Sequence, residues 1–383
     1  MILSTPLVGA HDRARLPPHI GTRLPMILLN PGPVTLSPRV RAALTNPDLC
    51  HREPEFADLQ DDIRARLLGV YGLAPEDYAA VLLTGSGTAA VEAMLTSLIP
   101  QTGELLVLEN GVYGERLTRI AEVHHIPHVR VQHAWQAPLD LPRIAEAIER
   151  HRALSHIAMV HHETTTGRLN ALADIGALGR VHGLGVLLDA VSSFGAEALD
   201  FEGLGLSACA ATANKCLHGV PGVSFVAVSR AALSHSDGPR RSLYLDLRSY
   251  CEAQDRRSTP YTPSVQAFYA LREVLAELVE EGGWRARNGR YRHLLGIARD
   301  GLRALGIEPL FPCEDCSVVL NAFQLPHGIG YPELHDRLKD RGFIIYAGQG
   351  DLATMLFRVS AMGAIAVTDM ERFVDAVRGA IAA

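Results

Sequence analysis

Short apolar segments alternate with amphipathic helical patterns from about residue 55 to residue 230, and this alternation constrains the fold more than any other feature. The apolar segments are nearly continuous runs of Val, Ile and Leu, as in strands that are buried on both faces. The predicted strands are residues 79–84, 104–109, 156–162, 185–191 and 223–229, with helices predicted between them at 88–98 and 172–183. The sequence therefore predicts an α/β domain with a mostly parallel sheet.

A second, smaller unit is predicted in the C-terminal third of the chain. A long helical stretch near 264–305 leads into it. Its predicted elements are a strand at 317–325, a helix at 332–341 with a proline in its first turn, strands at 343–348 and 355–361, and a helix at 367–381. This mixture predicts a small α+β domain.

Charge and cysteine content exclude several classes of function. The formal net charge is −6 over 383 residues, so neither nucleic acid nor an anionic membrane is an expected partner. No apolar run approaches the ~18–20 residues that a membrane span needs, and residues 1–25 lack the pattern of a secretory signal. The six scattered cysteines fit a reduced, cytoplasmic chain. The CEDC string at 313–316 resembles half of a zinc site, but no second pair accompanies it, so no metal is expected.

A glycine-rich turn, TGSGTAA at 84–90, stands where a strand ends and a helix begins. Its glycines permit close backbone approach, the helix start offers free N–H groups, and Ser86 and Thr88 add hydroxyl donors, so the turn suits a phosphate. The string also satisfies the G-x-G-x-x-A fingerprint of dinucleotide-binding proteins, with Glu109 about where a ribose-binding acid would stand. On this string alone, a nicotinamide-dependent dehydrogenase and a turn without a ligand stay open as alternatives.

An aspartate and a lysine follow two later strands. Asp189 ends the apolar run GVLLD, and a carboxylate leaving a buried strand is costly unless it is paired. A cationic pyridinium nitrogen would pair with it; the alternative is an aspartate that caps the following turn. Lys215 stands in the small-residue context ATANKCLHGVPG, where desolvation lowers the pKa of an amine and makes it nucleophilic. The alternative is a surface lysine after a strand.

Lysine is nearly absent from this chain, so few residues could supply a side-chain amine for chemistry. Of 36 basic residues only Lys215 and Lys339 are lysines, and Lys339 lies in the charged segment HDRLKDRG, where we expect it to be solvated. A phosphate-binding turn, a strand-end aspartate and then a lysine form the ordered set that a pyridoxal-phosphate (PLP) enzyme of the aspartate aminotransferase fold requires.

These residues resemble the class V aminotransferases, a family of PLP-dependent enzymes. The resemblance extends from LLNPGPVTLSPRV (28–40) to FRVSAMG (357–363). Its most specific strings are LLTGSGTAAVEA (82–93), LENGVYGER (108–116), HHETTTGRLN (161–170), LLDAVSSFG (187–195), ATANKCLHGVPG (211–222) and RRSLYLDL (240–247). The resemblance implies fold type I, with a large domain built on a mostly parallel seven-stranded sheet and a smaller C-terminal α+β domain. The implied division is an N-terminal arm (1–25), a segment associated with the small domain (26–49), the large PLP-binding domain (50–265) and the small domain (266–383).

The resemblance also implies a role for each of ten residues. Lys215 would be the Schiff-base lysine, and Asp189 would pair with the pyridine nitrogen. Tyr113 would stack on the ring, and Thr164 would lie beside the phenolic oxygen of the ring. Arg358 would bind the acid group of the substrate. The implied phosphate ligands are Ser86, Gly87, Thr88, Asn214 and, donated across a homodimer interface, Thr262.

The local sequence around Arg358 also suggests, without the resemblance, that this residue binds an acid group. It stands on the apolar strand MLFRVSA, where an unpaired guanidinium would be costly. Its planar fork suits a carboxylate or a phosphonate. The alternative is a structural ion pair inside the small domain.

Within the family, the strings ETTTG and RSLYLDL resemble the members that use 2-aminoethylphosphonate and pyruvate. The implied reaction gives phosphonoacetaldehyde and L-alanine. The segment DLCHREPEF (48–56) departs from those members and resembles the wider family. A hydroxylated aminophosphonate, alanine or serine as donor, with glyoxylate or pyruvate as acceptor, therefore stays open. The more distant alternatives are the dehydrogenase, although its fingerprint stands some 80 residues into the chain, and a non-enzymatic PLP-binding protein.

Overall fold

The chain folds around a seven-stranded sheet with helices on both faces, followed by a smaller α+β unit. The computed structural model describes residues 26–236 and 240–382, so the predicted arm at 1–25 lies outside the described residues. The strands are β1 (Ile27–Leu28), β2 (Tyr78–Gly85), β3 (Glu104–Glu109), β4 (His128–Gln132), β5 (Leu154–Val160), β6 (His162–Glu163), β7 (Arg168–Leu169), β8 (Gly185–Asp189), β9 (Leu206–Thr212), β10 (Gly222–Ser229), β11 (Leu320–Gln324), β12 (Phe343–Ile344), β13 (Tyr346–Ala347) and β14 (Leu356–Ser360). The helices are α1 (Pro38–Ala43), α2 (Pro54–Gly69), α3 (Gly87–Leu98), α4 (Val112–Val123), α5 (Leu141–Arg150), α6 (Leu172–His182), α7 (Arg230–Ser234), α8 (Leu247–Asp255), α9 (Val265–Glu281), α10 (Gly283–Arg303), α11 (Tyr331–Asp340) and α12 (Val367–Ile381).

The large sheet has the strand order β2-β10-β9-β8-β5-β3-β4. Only β10 runs antiparallel to its neighbours; the other adjacent pairs are parallel, which confirms the predicted mostly parallel sheet. All five predicted strands are present in it. The sequence pattern does not predict β4, because this edge strand, HVRVQ, buries only Val131 and so lacks the apolar run of a central strand.

Two apolar cores sandwich the large sheet. On one face, α3, α4 and α8 pack against side chains such as Leu105 and Leu187 of the sheet. On the other face, α2, α5, α6 and α9 pack against the alternate side chains, such as Leu106 and Leu188. Neighbouring residues of β3 and β8 therefore enter opposite cores, which explains why these strands read as unbroken apolar runs.

The smaller unit is built on the antiparallel sheet β11-β14-β13, covered by α10 and α12. The N-terminal segment joins it, because β1 pairs in parallel with β12. The predicted long helical stretch is two helices, broken where Gly282 and Gly283 adopt φ of 103° and 78°, a left-handed region that favours glycine. The buried side of α9 belongs to the core of the large sheet. The domain division at 265/266 remains a prediction.

The parallel strands bring their carboxyl ends to one edge of the sheet, where ligands bind in open α/β folds. This topology argues against a dinucleotide site. β2, which carries the glycine-rich turn, and β3, which ends at Glu109, are five strand positions apart, or roughly 24 Å at ~4.8 Å per strand. The buried Glu109 carboxylate accepts a hydrogen bond from the Thr118 hydroxyl. Glu109 is therefore bonded to the helix that follows its strand, and it is too far from the glycine-rich turn to bind the ribose of the same dinucleotide.

Candidate active site

A cavity of about 170 Å³ opens at the carboxyl edge of the large sheet. Seven of the ten residues singled out in the sequence line it: Ser86, Gly87, Thr88, Tyr113, Asp189, Asn214 and Lys215. They come from the ends of three strands and the starts of two helices, up to 129 residues apart between Ser86 and Lys215. The remaining lining residues are Val91, Arg116, Val191 and Thr212.

The glycine-rich turn forms one end of the cavity. Ser86 is the N-cap residue of α3, which begins at Gly87, so the first N–H groups of the helix are free for an anion. A Cβ atom on Gly87 would lie 2.7 Å from Cγ1 of Val191, so only glycine lets the helix start approach the turn after β8 this closely. The Thr212 hydroxyl donates a 2.8 Å hydrogen bond to Oδ1 of Asn214, which orients that amide at the same end.

Arg116 adds a positive charge that was not predicted from the sequence. Its guanidinium lies 4.6 Å from the centroid of the Tyr113 ring, and its Nη1 lies 3.4 Å from Oγ1 of Thr88. The sequence signal is the spacing of Tyr113 and Arg116 on α4, because residues three apart share a helix face. The turn is therefore served by a helix N-terminus, two hydroxyls and a cation, the donor set expected for a phosphate.

Asp189 faces the cavity from the end of β8. Burial raises the pKa of its carboxyl to about 6, against the lowering effects of the Val191 hydrogen bond and of the charges on Arg116 and Lys215. Oδ1 accepts a 3.0 Å hydrogen bond from the Val191 N–H, so the residue does cap the following turn. A buried carboxylate that lines a cavity and has no ion-pair partner among the described residues is suited to a cationic ligand atom.

Lys215 is not a surface lysine. Its amine lines the cavity and donates a hydrogen bond to the Pro31 carbonyl. Burial lowers the pKa of this amine to about 8, which increases the neutral, nucleophilic fraction near pH 7. A Cβ atom on Gly32, which has φ of 108°, would lie 2.8 Å from Cδ of Lys215. The NPGP segment at 30–33 thus packs directly on the lysine, a contact that the sequence pattern does not predict.

Arg358 lies on β14 of the smaller unit, outside the lining of the cavity, and its positive charge is among those that lower the pKa of Lys215. It is 3% exposed, and burial lowers the pKa of its guanidinium. Nε donates to the Ala347 carbonyl and Nη1 to the Thr164 carbonyl, both at 2.8 Å. Among the described residues it makes no ion pair, so the structure does not support the alternative of an ion pair inside the small domain.

Thr262 lies outside this cavity on an exposed loop. The loop is held near the glycine-rich turn, because the Ser264 N–H donates to Oγ1 of Thr84 at 3.2 Å. The segment at 48–56, whose sequence differs from that of the members that use 2-aminoethylphosphonate, contacts the same loop. Nη1 of Arg52 donates to the Thr259 carbonyl at 2.8 Å. In this chain the segment therefore contacts the loop that carries Thr262.

Several buried polar atoms around the site have no protein partner, which tests whether a cofactor and substrate fit there. They are Oδ1 of Asn30, Nε2 of His162 and Oγ1 of Thr164 and Thr166. Buried polar groups are normally hydrogen-bonded, so these atoms are candidates for pairing with groups that a ligand would supply. The donor set at the turn fits a phosphate, Asp189 fits a protonated ring nitrogen, and Lys215 fits an aldehyde carbon. The site is that of a PLP-dependent aminotransferase of fold type I.

The comparisons with known proteins give the family. The chain belongs to the class V aminotransferases, whose family model matches residues 42–364. It is 37% identical over 358 residues to the 2-aminoethylphosphonate–pyruvate transaminase of Bacillus cytotoxicus, covering 92% of this chain and 96% of that one. It is also 37% identical to the enzyme of the same name from Syntrophobacter fumaroxidans, over 93% and 96% of the two chains. The alanine–glyoxylate aminotransferase of Nostoc sp. superposes with a TM-score of 0.88 at 25% identity, covering 98% of this chain and 100% of that one.

The described residues hold no group of three or more His, Cys, Asp or Glu side chains arranged for a metal ion. In the CEDC string, Sγ of Cys316 instead lies 3.6 Å from Nη1 of Arg299. Across residues 26–236 and 240–382, no helix combines the length and the apolar content of a membrane span.

Proposed function

We propose that the chain transfers the amino group of 2-aminoethylphosphonate to pyruvate, giving phosphonoacetaldehyde and L-alanine. The observation that carries the proposal is Arg358, a buried guanidinium that has no carboxylate partner in the described residues and whose charge acts on the pKa of Lys215. A dianionic phosphonate and the carboxylate of a 2-oxo acid are both ligands for such a fork. One arginine would thus serve the donor and the acceptor in alternation.

The relatives support the choice of donor. The two named above carry this activity in their names, as does the protein of Vibrio cholerae, which is 37% identical over 363 residues. The identity spans more than nine-tenths of each chain, so both domains contribute to the likeness. The relatives thus favour 2-aminoethylphosphonate as donor and pyruvate as acceptor. A related aminophosphonate, alanine or serine is the second candidate for the donor.

The chain's own residues divide the work. Bound PLP supplies an electron sink and carries the amino group between the two half-reactions. The glycine-rich turn and Arg116 would hold its phosphate, Tyr113 its ring, and Thr164 its phenolic oxygen. Asp189 would keep the ring nitrogen protonated. The amine of Lys215 would move a proton in each half-reaction: it would remove one from C2 of the donor in the first, and add one to the carbonyl carbon of the 2-oxo acid in the second.

We also propose a homodimer in which Thr262 of one subunit reaches the phosphate of the other. The supporting observation is the apolar surface beside its loop, where Leu243 is 85% exposed and Tyr244 is 42% exposed. The Tyr244 hydroxyl lies 3.3 Å from the Thr84 carbonyl, so this surface adjoins the glycine-rich turn. Thr262→Val should then weaken PLP binding in the dimer, and a monomeric protein of full activity would exclude the arrangement.

A panel of donors tests the function. The purified holoprotein is mixed with 2-aminoethylphosphonate, alanine, serine or a hydroxylated aminophosphonate, and the visible absorbance of the cofactor is followed. We expect the fastest loss of the visible band with 2-aminoethylphosphonate and recovery of the band with pyruvate, with L-alanine as product. No spectral change with 2-aminoethylphosphonate, alongside a change with another donor, would replace the proposed substrate.

A further inference from the structure

Glu163 is a buried carboxylic acid beside the site that the proposed mechanism does not use. It is fully buried on β6, does not line the cavity and makes no ion pair among the described residues. Burial raises the pKa of its carboxyl group to about 7, against the lowering effects of its hydrogen bonds to Thr165 and Gly114. A carboxylate is costly to bury without a cation, so its hydrogen-bond partners indicate what it stabilises.

The carboxyl group caps a helix that has no cap of its own. α4 begins after Gly111, which has no side chain to accept from the free N–H groups of the first turn. Oε2 of Glu163 accepts from the Gly114 N–H at 3.2 Å, and Oε1 accepts from the N–H and the hydroxyl of Thr165 at 3.1 and 2.6 Å. The Thr165 hydroxyl in turn accepts from the Val112 N–H at 3.1 Å. Two residues of the ETTTG string thus replace the missing cap.

The helix start must be glycine for the carboxyl group to approach this closely. A Cβ atom on Gly111 would overlap the carboxyl group of Glu163. A residue with a capping side chain at position 111 would therefore displace Glu163. The first turn of α4 depends instead on a segment 49 residues further along the chain.

The two anchored N–H groups lie on either side of Tyr113. Val112 and Gly114 are its chain neighbours, so the cap fixes the backbone that carries the Tyr113 ring to the cavity. Further along α4, the Arg116 guanidinium lies 4.6 Å from the centroid of that ring. The β6–β7 hairpin that supplies the cap also carries Thr164, whose hydroxyl has no protein partner. One carboxyl group thereby joins the helix that presents Tyr113 and Arg116 to the hairpin that presents Thr164.

We propose that Glu163 is a positioning residue for the cofactor: its carboxyl group sets the first turn of α4 and so places Tyr113 and Arg116 against the ring and the phosphate of PLP. The Thr165 hydroxyl shares this role. Without the cap, the free N–H groups must find other acceptors and the first turn shifts, which lengthens both contacts. The inference rests on the proposed function for the roles of Tyr113 and Arg116, and not for the choice of substrate.

Titration of the full-length apoprotein with PLP tests this without any substrate. In Glu163→Gln only one oxygen is left, so either Gly114 or Thr165 faces an NH₂ group in place of an acceptor. We expect the Kd for PLP to rise about 10-fold, as loss of a hydrogen bond to a charged acceptor implies. The KM for the donor should stay within about twofold at saturating PLP, because the substrate contacts are untouched.

Glu197→Gln is the matched control. Glu197 is also a buried carboxylic acid outside the cavity lining, and it accepts from the Ser317 hydroxyl at 2.6 Å and from the Val318 N–H at 2.9 Å. Its partners lie away from α4, so Glu197→Gln should leave the Kd for PLP within about twofold. Equal losses in the two variants would make Glu163 a residue that supports only the fold.

A double-mutant cycle shows whether the effect passes through Tyr113. In a Tyr113→Ala background the aromatic face is already gone. Glu163→Gln should then raise the Kd for PLP by no more than about threefold, against about 10-fold in the wild-type background. A carboxyl group that supported only the fold would cost the same factor in both backgrounds.

Thr165 gives a second test that leaves the carboxyl group in place. Thr165→Ser keeps the hydroxyl and should bind PLP as the wild type does. Thr165→Val removes the acceptor of the Val112 N–H and should weaken PLP binding about 5- to 10-fold. This pair decides the matter if Glu163→Gln does not fold.

The outcomes separate the inference from the proposed function. Unchanged PLP affinity in Glu163→Gln, an additive cycle, or equal affinities in Thr165→Ser and Thr165→Val would each overturn the inference. A wild-type protein that binds PLP but transaminates none of the donors would overturn the proposed function instead, and the PLP titrations could still be read.

Discussion

The active site is built from two regions that differ in how their polar groups are held. The large-sheet wall is the carboxyl edge of the large sheet, and the facing wall is the part of the smaller unit that carries Arg358 on β14. On the large-sheet wall, Asp189 and Asn214 are already oriented by hydrogen bonds from Val191 and Thr212, and the groups converge on one cavity. On the facing wall, Arg358 is fixed by two backbone carbonyls, and no acid neutralises it in the described residues. On the proposed assignment, the first wall would hold the cofactor, and the second would bind the acid group of each substrate in turn. Substitutions should therefore have different consequences on the two walls.

The largest effect is expected on the large-sheet wall. Lys215→Ala should reduce kcat by roughly 10⁴-fold or more, since it removes both the covalent anchor and the proton carrier. Initial rates of alanine formation measure it. Lys339→Ala is the matched control, because it removes the other lysine and should leave the rate unchanged. Equal rates in Lys215→Ala and wild type would contradict the assignment of this wall.

Substitution of Arg358 on the facing wall should mainly weaken substrate binding. Arg358→Leu should lower kcat/KM by about 10²-fold, mostly through KM for both donor and acceptor, as loss of a buried charge pair implies. Arg287 is the comparison: it is 1% exposed and pairs with Glu281 at 2.6 Å. Arg287→Met should cost about 1–3 kcal/mol of unfolding free energy, because it removes the donor to the Cys216 carbonyl and leaves Glu281 paired with Arg290 alone, with KM nearly unchanged. If both variants lost stability alike and kept KM, Arg358 would be structural.

The last expected effect is on stability and concerns Asp189. Its folded-state pKa of about 6 exceeds the ordinary 3.8, so the folded state binds more protons between these values and stability falls as pH rises through that window. The cost above pH 6 is about 3 kcal/mol. Asp189→Asn should therefore stabilise the cofactor-free protein at pH 7 and have no such effect below pH 4, while transamination falls. Thermal unfolding at the two pH values measures this, and destabilisation at pH 7 would contradict it.

The sequence reveals the large-sheet wall better than the facing wall for a physical reason. Asp189 and Lys215 interrupt apolar or small-residue runs, and a polar group at the end of a buried strand is visible in the sequence itself. The contact of Gly32 with Lys215 depends on packing between distant segments, which no local pattern encodes. The break at Gly282 and Gly283 is visible only as two glycines within an otherwise helical pattern.

Reductive mapping decides whether Lys215 is the residue that carries the cofactor. The holoprotein is reduced with borohydride, which makes the lysine–cofactor bond permanent, then digested and sequenced by mass spectrometry. We expect the added cofactor mass on the peptide that contains Lys215 and none on the peptide that contains Lys339. Cofactor mass on Lys339, or on neither lysine in a protein that transaminates, would contradict it.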